Sequence, residues 1–522
     1  MNTTEFLTIT GAICPDRVAI SFEEKKFTFA ELNERANKLA DALVKLGVQK
    51  GDRLAILQVN CNQYIEAYFA TAKLGGIYVP LNFRAKQDEL THMLSNAEAS
   101  ILFIGERYFD LANSMRPNLP SIKHYISIDG KTEGMLSYEE LLASGSPEEK
   151  IFVEINDDDP TVLMYTAGTT GLPKGVPQVH NSYALYLLQN VNPPDPEITE
   201  ANLITMPLYH VAGMQAMLSA IYGGRSIALM RQFETKEWFE TAQREKVTRA
   251  MLVPTMLKRI VDDPDFAKYD LSNLRVITYG AAACPQEVLR KTIELFPGRA
   301  LINAFGGTET ASTIAMLRAE DQIITGKETE AEKEKKLKRL ATSIGIPLDD
   351  VEIQIRDEEG RVLPRGETGE LVVRGGRVMK GYWKDEEKTK KAFTSDGWYR
   401  TGDKGYIDEE GYIYLSGRAD DLIVRGGENI SPEEVENVLY THPKIEEAAV
   451  IGVPHPDWGS EPRAVVVLKK GETATPEEII EYCRERLAGF KRPRSVVFVN
   501  ELPKTSTGKI IRKALREQHG KP

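Results

Sequence analysis

The residues best equipped for chemistry lie at 165–175, YTAGTTGLPKG, directly after an apolar run at 161–164 that reads as a strand. Three glycines, three threonines and one lysine in eleven positions let backbone N–H groups, hydroxyls and an ammonium converge on phosphate oxygens. The loop follows the logic of a phosphate loop without being a Walker A motif, because Lys174 is followed by Gly175 where that motif requires Ser or Thr. A plain glycine-rich turn is the bland alternative, and this combination of residue types disfavours it. Other chemistries are excluded. The four cysteines (Cys14, Cys61, Cys284, Cys483) form no C-x-x-C pair, so neither a disulfide framework nor a thiolate zinc site is expected. None of the seven histidines has a ligand spacing such as H-E-x-x-H, so no tightly held transition metal is expected either.

The elements around the loop alternate in period. Apolar residues recur at helical spacing over 27–46 (Leu32, Ala36, Leu39, Leu43, Leu46), with Thr28 as N-cap, Glu31 three positions on, and Gly47 ending the helix. A strand at 53–59, a helix at 63–74, a turn at Gly75 and Gly76 and a strand at 77–80 follow. The same grammar returns with strand-like runs at 203–206, 226–229, 249–253, 276–279 and 301–304, separated by helical patterns. Repeated βα alternation predicts parallel sheets with helices on their faces, here as two α/β layers. From 350 to 417 the period drops to about two (Val351, Ile353, Ile355; Leu371, Val373), with hairpin signals at 357–360 and 408–411.

The fold class expected is therefore α/β: a large N-terminal domain of two α/β layers plus a β-rich subdomain at about 345–417. Residues 418–421 would join it to a small α+β C-terminal domain at 422–522. The run 327–339 (KETEAEKEKKLKR) is expected as a solvated helix or surface insertion, with opposite charges at i and i+4 in Glu332 with Lys336 and Glu334 with Lys338.

The length of 522 residues exceeds what one core can fill. With 66 Lys plus Arg against 77 Asp plus Glu the net charge is −11, which argues against holding nucleic acid or an anionic membrane through the overall field. Met1 to Glu5 lacks the basic and apolar regions of a secretory signal, and the apolar stretch 218–230 is interrupted by Gly223, Gly224 and Arg225. No run approaches the roughly 18 apolar residues of a membrane span, so a cytoplasmic protein without a transmembrane segment is expected.

Seven motifs in order carry a resemblance: YTAGTTGLPKG (165–175), PLYHVAG (207–213), YGAAA (279–283), NAFGGTET (303–310), YRTGD (399–403), GRADDLIVRGGENISPEEVE (417–436) and PKTSTGK (503–509). They cover nearly the whole chain, which resembles the adenylate-forming superfamily of acyl-CoA synthetases, adenylation domains and luciferases. The resemblance implies ATP-dependent conversion of a carboxylate to an acyl-adenylate with pyrophosphate release, then transfer of the acyl group to CoA with AMP release. It implies that Thr166, Thr169, Thr170 and Lys174 handle the β- and γ-phosphates, and that Glu309 binds Mg²⁺, a hard cation suited to a carboxylate beside phosphates. Gly280, Ala281, Ala282, Phe305 and Thr308 would form the adenine slot; Phe305 stands where the family usually has Tyr, a change that keeps stacking and drops the phenol hydroxyl.

By the same resemblance Asp403 would accept hydrogen bonds from the ribose hydroxyls, and Arg418 would donate to the ribose or phosphate side. Lys509 would reach the α-phosphate during adenylation, as a compact cation on developing charge. Asp420 would be the hinge about which the C-terminal domain turns between half-reactions. That turn would present Gly426 and Gly427 to the pantetheine arm, with Trp458 nearby. The CoA nucleotide would meet Arg84 and the segment Phe490, Lys491, Arg492, Arg494. His210 would gate an acyl slot lined by Val211, Met214, Ala281, Ala282, Ala283 and Gly306. These residues are small or apolar and no charged partner for a second polar group is evident, so an apolar acid is expected, a fatty acid foremost, with an aromatic or alicyclic acid as alternative. An adenylation module serving a separate carrier protein is the competing class; nothing argues for a luciferase-like monooxygenase, and retention of Lys174, Glu309, Asp403, Arg418 and Lys509 together argues against a dead homologue. Small-molecule substrates, no nucleic acid and a homodimer complete the expected partners.

Overall fold

A computed structural model describes residues 2–166, 172–317, 324, 328–418, 421–425, 428–505 and 509–521, with only the backbone of Arg418 and Asn429. Among the described residues the strands gather into three sheets. The first has seven strands in the order Leu136–Ser137, His124–Ser127, Ile101–Ile104, Arg53–Leu57, Ile77–Pro80, Pro160–Thr166 and Lys174–Val179. All neighbours are parallel except the last pair, which closes the edge as a hairpin around the phosphate-type loop. The expected helix before it runs Phe29–Lys45 with a complete capping box, Thr28 accepting from Glu31 N and Glu31 accepting from Thr28 N. Its apolar stripe Leu32, Ala36, Leu39 and Leu43 is fully buried, which is how the 3.6-residue period becomes a layer against the sheet.

The second sheet is a path of thirteen strands. Its parallel centre comprises Ala300–Gly307, Val276–Gly280, Arg249–Leu252, Ala201–Ile204, Ser226–Leu229 and Val18–Phe22. The β-rich region does not form a sheet of its own. Strand Ser343–Pro347 pairs antiparallel with both Ser312–Leu317 and Ile413–Arg418, so the antiparallel strands continue the α/β layer edge to edge. Both expected hairpin turns are present: Gly360 N donates to Asp357 O at 3.1 Å and Gly411 N to Asp408 O at 3.0 Å.

The charged run forms the helix Glu330–Thr342, capped by Thr329 and Glu332. It is not wholly solvated: Leu337 and Leu340 are 1% exposed and join the core beneath the second sheet. Its charges also look outward. Lys335 and Arg339 pair with Glu410, and Glu334 pairs with Arg290, while the charge of Lys336 acts on Glu332 along the helix at i,i+4.

The third sheet, built on the antiparallel pair Ile445–His455 and Gly459–Leu468, has a separate core around Ile423, Val435, Ala448, Val450, Ala464 and Val466. The fold is thus a large α/β N-terminal body followed by a small α+β C-terminal unit. Among the described residues no helix is long and apolar enough to cross a membrane.

Candidate functional site

The candidate site assembles at the C-terminal ends of the parallel strands, where open α/β sheets collect ligands. Thr166 ends strand Pro160–Thr166 and is the cross-strand partner of Lys174, so the loop between them leaves and re-enters the sheet at one point. Thr169 and Thr170 lie outside the described residues. The Lys174 ammonium sits 5.0 Å from the centre of the Tyr382 ring. Tyr382 Oη donates to Glu309 Oε1 at 3.1 Å. One phenol therefore links the cation of the loop to the carboxylate expected to bind metal, a connection that no motif spacing announced.

Glu309 occupies the short turn Thr308–Thr310, whose geometry is held from both sides. Met379 N donates to Glu309 O at 2.8 Å, and buried Gln178 donates through Nε2 to Thr308 O at 2.8 Å. Among the described residues no cluster of three or more His, Cys, Asp or Glu could hold a metal alone. One well-anchored carboxylate suits Mg²⁺, which takes one or two carboxylates and completes its shell with phosphate and water.

The next loop leaves strand Val276–Gly280 with Ala281 at φ +66°, a left-handed conformation that a non-glycine residue adopts at some cost. Ala281, Ala282 and Ala283 are exposed there and face no core, as a binding slot requires. Gly280 and Gly306 are glycines for a local reason. A Cβ on Gly280 would stand 2.3 Å from Ala304 O, and one on Gly306 would stand 1.7 Å from Ser312 O. Phe305, beside a β-bulge in strand Ala300–Gly307, packs against the core of the antiparallel region. Asp403 and Arg418 are direct cross-strand partners, which puts the two residues expected at the ribose side by side.

His210 caps the helix Val211–Tyr222, its Nδ1 accepting from Ala212 N at 3.4 Å, so the proton sits on Nε2. Burial first and the charge of Lys509 second push its pKa down to about 4, keeping the imidazole neutral at pH 7. Lys509 belongs to the C-terminal unit, in a turn where Thr505 N donates to Lys509 O at 2.7 Å and Lys509 N to Thr505 Oγ1 at 3.1 Å. The charge of Lys509 is thus felt at His210 across the two units. An inter-unit ion pair, Lys258 Nζ to Glu446 Oε1 at 2.6 Å, ties them together.

Behind His210 lies a cavity of about 290 Å³ between the second sheet and the helix Val211–Tyr222. The helix turns Ala212, Gln215, Ala216 and Ser219 toward it, the i, i+3, i+4, i+7 face. Val211 and Met214 point the other way, into the core of the first sheet, so the expected lining is displaced by part of a turn. The sheet side also departs from an all-apolar slot: Arg225 and Arg249 line its far end, together with Asn202. The one signal in the sequence was Arg225 interrupting an otherwise apolar run; Arg249 opens a strand and belongs to no motif.

The residues expected at CoA are placed apart from this cavity. Arg84 is exposed with its guanidinium 5.5 Å from the Phe83 ring centre. Trp458 is 47% exposed beneath the Arg425 guanidinium, at 4.8 Å. Phe490 packs against the C-terminal core, Arg492 Nε donates to Leu487 O at 3.0 Å, and Lys491 is paired with Glu434 at 2.7 Å. Gly426, Gly427 and Asp420 lie outside the described residues.

The family model of AMP-binding enzymes matches residues 10–383, and that of the AMP-binding enzyme C-terminal domain matches 434–509. The putative acyl-CoA synthetase YngI of Bacillus subtilis is 33% identical over 536 residues, covering 98% of this chain and 95% of the relative. The indoleacetate–CoA ligase of Aromatoleum aromaticum is 31% identical over 518 residues, covering 99% and 98%. Among solved structures, the anthranilate CoA ligase AuaEII in complex with anthranoyl-AMP superposes with a TM-score of 0.90 at 28% identity, over 100% of this chain and 97% of that one.

Proposed function

The chain belongs to the AMP-binding enzyme family, as an AMP-forming acyl-CoA synthetase, and we propose that it activates a carboxylic acid seated in the cavity behind His210 and then transfers it to free CoA. In this reading the acid's carboxylate oxygen attacks the α-phosphorus of ATP and the bond to the bridging oxygen of pyrophosphate breaks. Negative charge grows on that leaving oxygen, and Lys174 with Thr166, Thr169 and Thr170 receive it electrostatically. Glu309, oriented by Tyr382, would hold Mg²⁺, which supplies charge neutralisation on the phosphates. Lys509 meets the α-phosphate from the C-terminal unit, while Asp403 and Arg418 fix the ribose and the 280–282 loop with Phe305 and Thr308 holds the adenine. Neutral His210 presents its Nε2–H at the mouth of the cavity without adding a cation that would compete for the carboxylate.

Thioester formation follows when the CoA sulfur attacks the acyl carbonyl and AMP departs. For this step we assign residues 1–417 and 422–522 as bodies that turn about 418–421 at Asp420, exchanging Lys509 for Gly426 and Gly427. Trp458, Arg84, Phe490 and Arg492 then serve CoA. Four free cysteines fit a reducing, cytoplasmic setting.

The cavity under the His210-capped helix supports the reading best, because its Ala304 end lies beside Gly280 on the neighbouring strand, next to the loop proposed for the nucleotide. The test separates half-reactions. Lys509→Ala should lower acid-dependent pyrophosphate release by roughly 100- to 1,000-fold and spare thioester formation from supplied acyl-adenylate; equal loss in both would refute the assignment. Acyl-adenylate accumulating with no thioester to CoA would instead identify a carrier protein as acceptor.

A further inference from the structure

The cavity behind His210 has a chemical gradient along its length. Residues on the lining face alternate with core residues on strands Arg249–Leu252 and Val276–Gly280, as period two demands. Cross-strand register places Asn202, Arg249 and Val276 at one level, Ile204, Met251 and Thr278 two residues on, and Gly280 with Ala304 at the reacting end. Four residues separate the Val276 level from the Gly280 level, so the cavity runs roughly 13 Å along the strands. Its middle is mainly apolar, formed by Met251, Ile302 and Ala216, with Thr278 at the same level.

Its far end is cationic. Arg225 Nε lies 2.9 Å and Arg249 Nε 3.3 Å from the same Glu200 oxygen. One carboxylate thus stands against two guanidiniums at this end of the cavity, with the Asn202 side chain on the same wall. The side chains of Arg225 and Glu200 are 12% and 17% exposed and that of Arg249 is 32% exposed, so the net positive charge sits where the cavity meets solvent and is only partly hydrated. A hydrocarbon tail would bury it further with no compensation, whereas a carboxylate would accept hydrogen bonds from the two guanidiniums and balance their excess charge.

We propose that this cavity selects an elongated acid with a second carboxylate at its far end, received by Arg225 and Arg249. The inference rests on the acyl-CoA ligase reading above and narrows its substrate from an apolar acid to a diacid with an apolar mid-section.

Suberate and octanoate, alike in chain and different in the far group, make the test, read as kcat/KM for CoA-dependent AMP release. The wild type should favour suberate by at least about tenfold. Arg249→Gln should bring the ratio to about one or below, chiefly through the KM of suberate. Asn202→Asp, which gives the arginines a second anion and so keeps the fold testable if Arg249→Gln does not fold, should reverse the preference toward octanoate. Preference for octanoate in the wild type, or equal loss with both acids in either variant, would overturn the inference while leaving the ligase reading intact. Silence with every acid tried would overturn both.

Discussion

Tyr382 stands between two groups that phosphate chemistry uses in opposite senses. Its ring face meets the Lys174 ammonium and its hydroxyl donates to the Glu309 carboxylate, so one rigid side chain touches both the cation proposed for the phosphates and the carboxylate proposed for the metal. Partners that orient a metal-binding carboxylate typically matter by an order of magnitude. Tyr382→Phe, which keeps the ring and loses the hydroxyl, should raise the Mg²⁺ concentration for half-maximal pyrophosphate release by roughly 10-fold. Titrating Mg²⁺ at saturating ATP checks it, and an unchanged midpoint would show the hydrogen bond to be incidental. Gly306 is the other decisive single position: its missing Cβ is what lets strand Ala300–Gly307 approach Ser312. Gly306→Ala should cost roughly 1–3 kcal/mol of stability through overpacking, visible as a lowered denaturant midpoint together with lost adenylation.

The helix Glu330–Thr342 shows how an element can mislead by its composition. Thirteen residues rich in Glu and Lys look like a free solvated helix, yet Leu337 and Leu340 anchor it to the second core. Leu337→Ala should therefore destabilise the protein by roughly 2–5 kcal/mol, while Lys338→Ala, on the exposed face, should stay within about 0.5 kcal/mol. Chemical denaturation of the two variants side by side decides this, and equal small effects would restore the picture of a loose surface insertion. The helix over the cavity makes the complementary point. Its apolar faces are similar in composition, and only packing against the first sheet assigned Met214 to the core and Gln215 to the cavity.

For the molecule as a whole, one ion pair that ties the C-terminal unit to the N-terminal body is Lys258 with Glu446. Glu446 is half exposed and Lys258 keeps Asp262 as a second partner, so this pair contributes on the order of 1 kcal/mol. Glu446→Lys should accordingly slow adenylation by up to roughly fivefold while sparing thioester formation from supplied acyl-adenylate; equal slowing of both would show that the bridge stabilises the fold rather than one docked arrangement. Acid stability has a separate source. Burial lowers the pKa of His180 to about 4, with Nδ1 accepting from Thr3 N at 3.3 Å and Nε2 without a hydrogen-bond partner among the described residues. Between about pH 4 and 6.5 the unfolded chain binds the proton that folded His180 refuses, so this stability is complete above pH 6.5 and is lost on acidification toward pH 4, on the order of 3 kcal/mol. Urea midpoints at pH 7 and pH 5 should lie closer together in His180→Gln than in the wild type, and an unaltered gap would assign the acid sensitivity elsewhere.

The sequence by itself determined what depends on neighbours along the chain. The Thr28 and Glu31 capping box, the βα alternation, the hairpin turns at 357–360 and 408–411 and the order of the seven motifs are all local patterns, and local hydrogen bonding and period fix them before any tertiary contact forms. The tertiary structure alone decided which distant side chains meet. Tyr382 reaches Lys174 and Glu309, and Arg225 and Arg249 converge on Glu200, only through strand register and the docking of one layer on another. Register is set by cooperative burial over whole sheets, so no short window of sequence contains it, and the meeting of Arg225 with Arg249 was illegible for that reason.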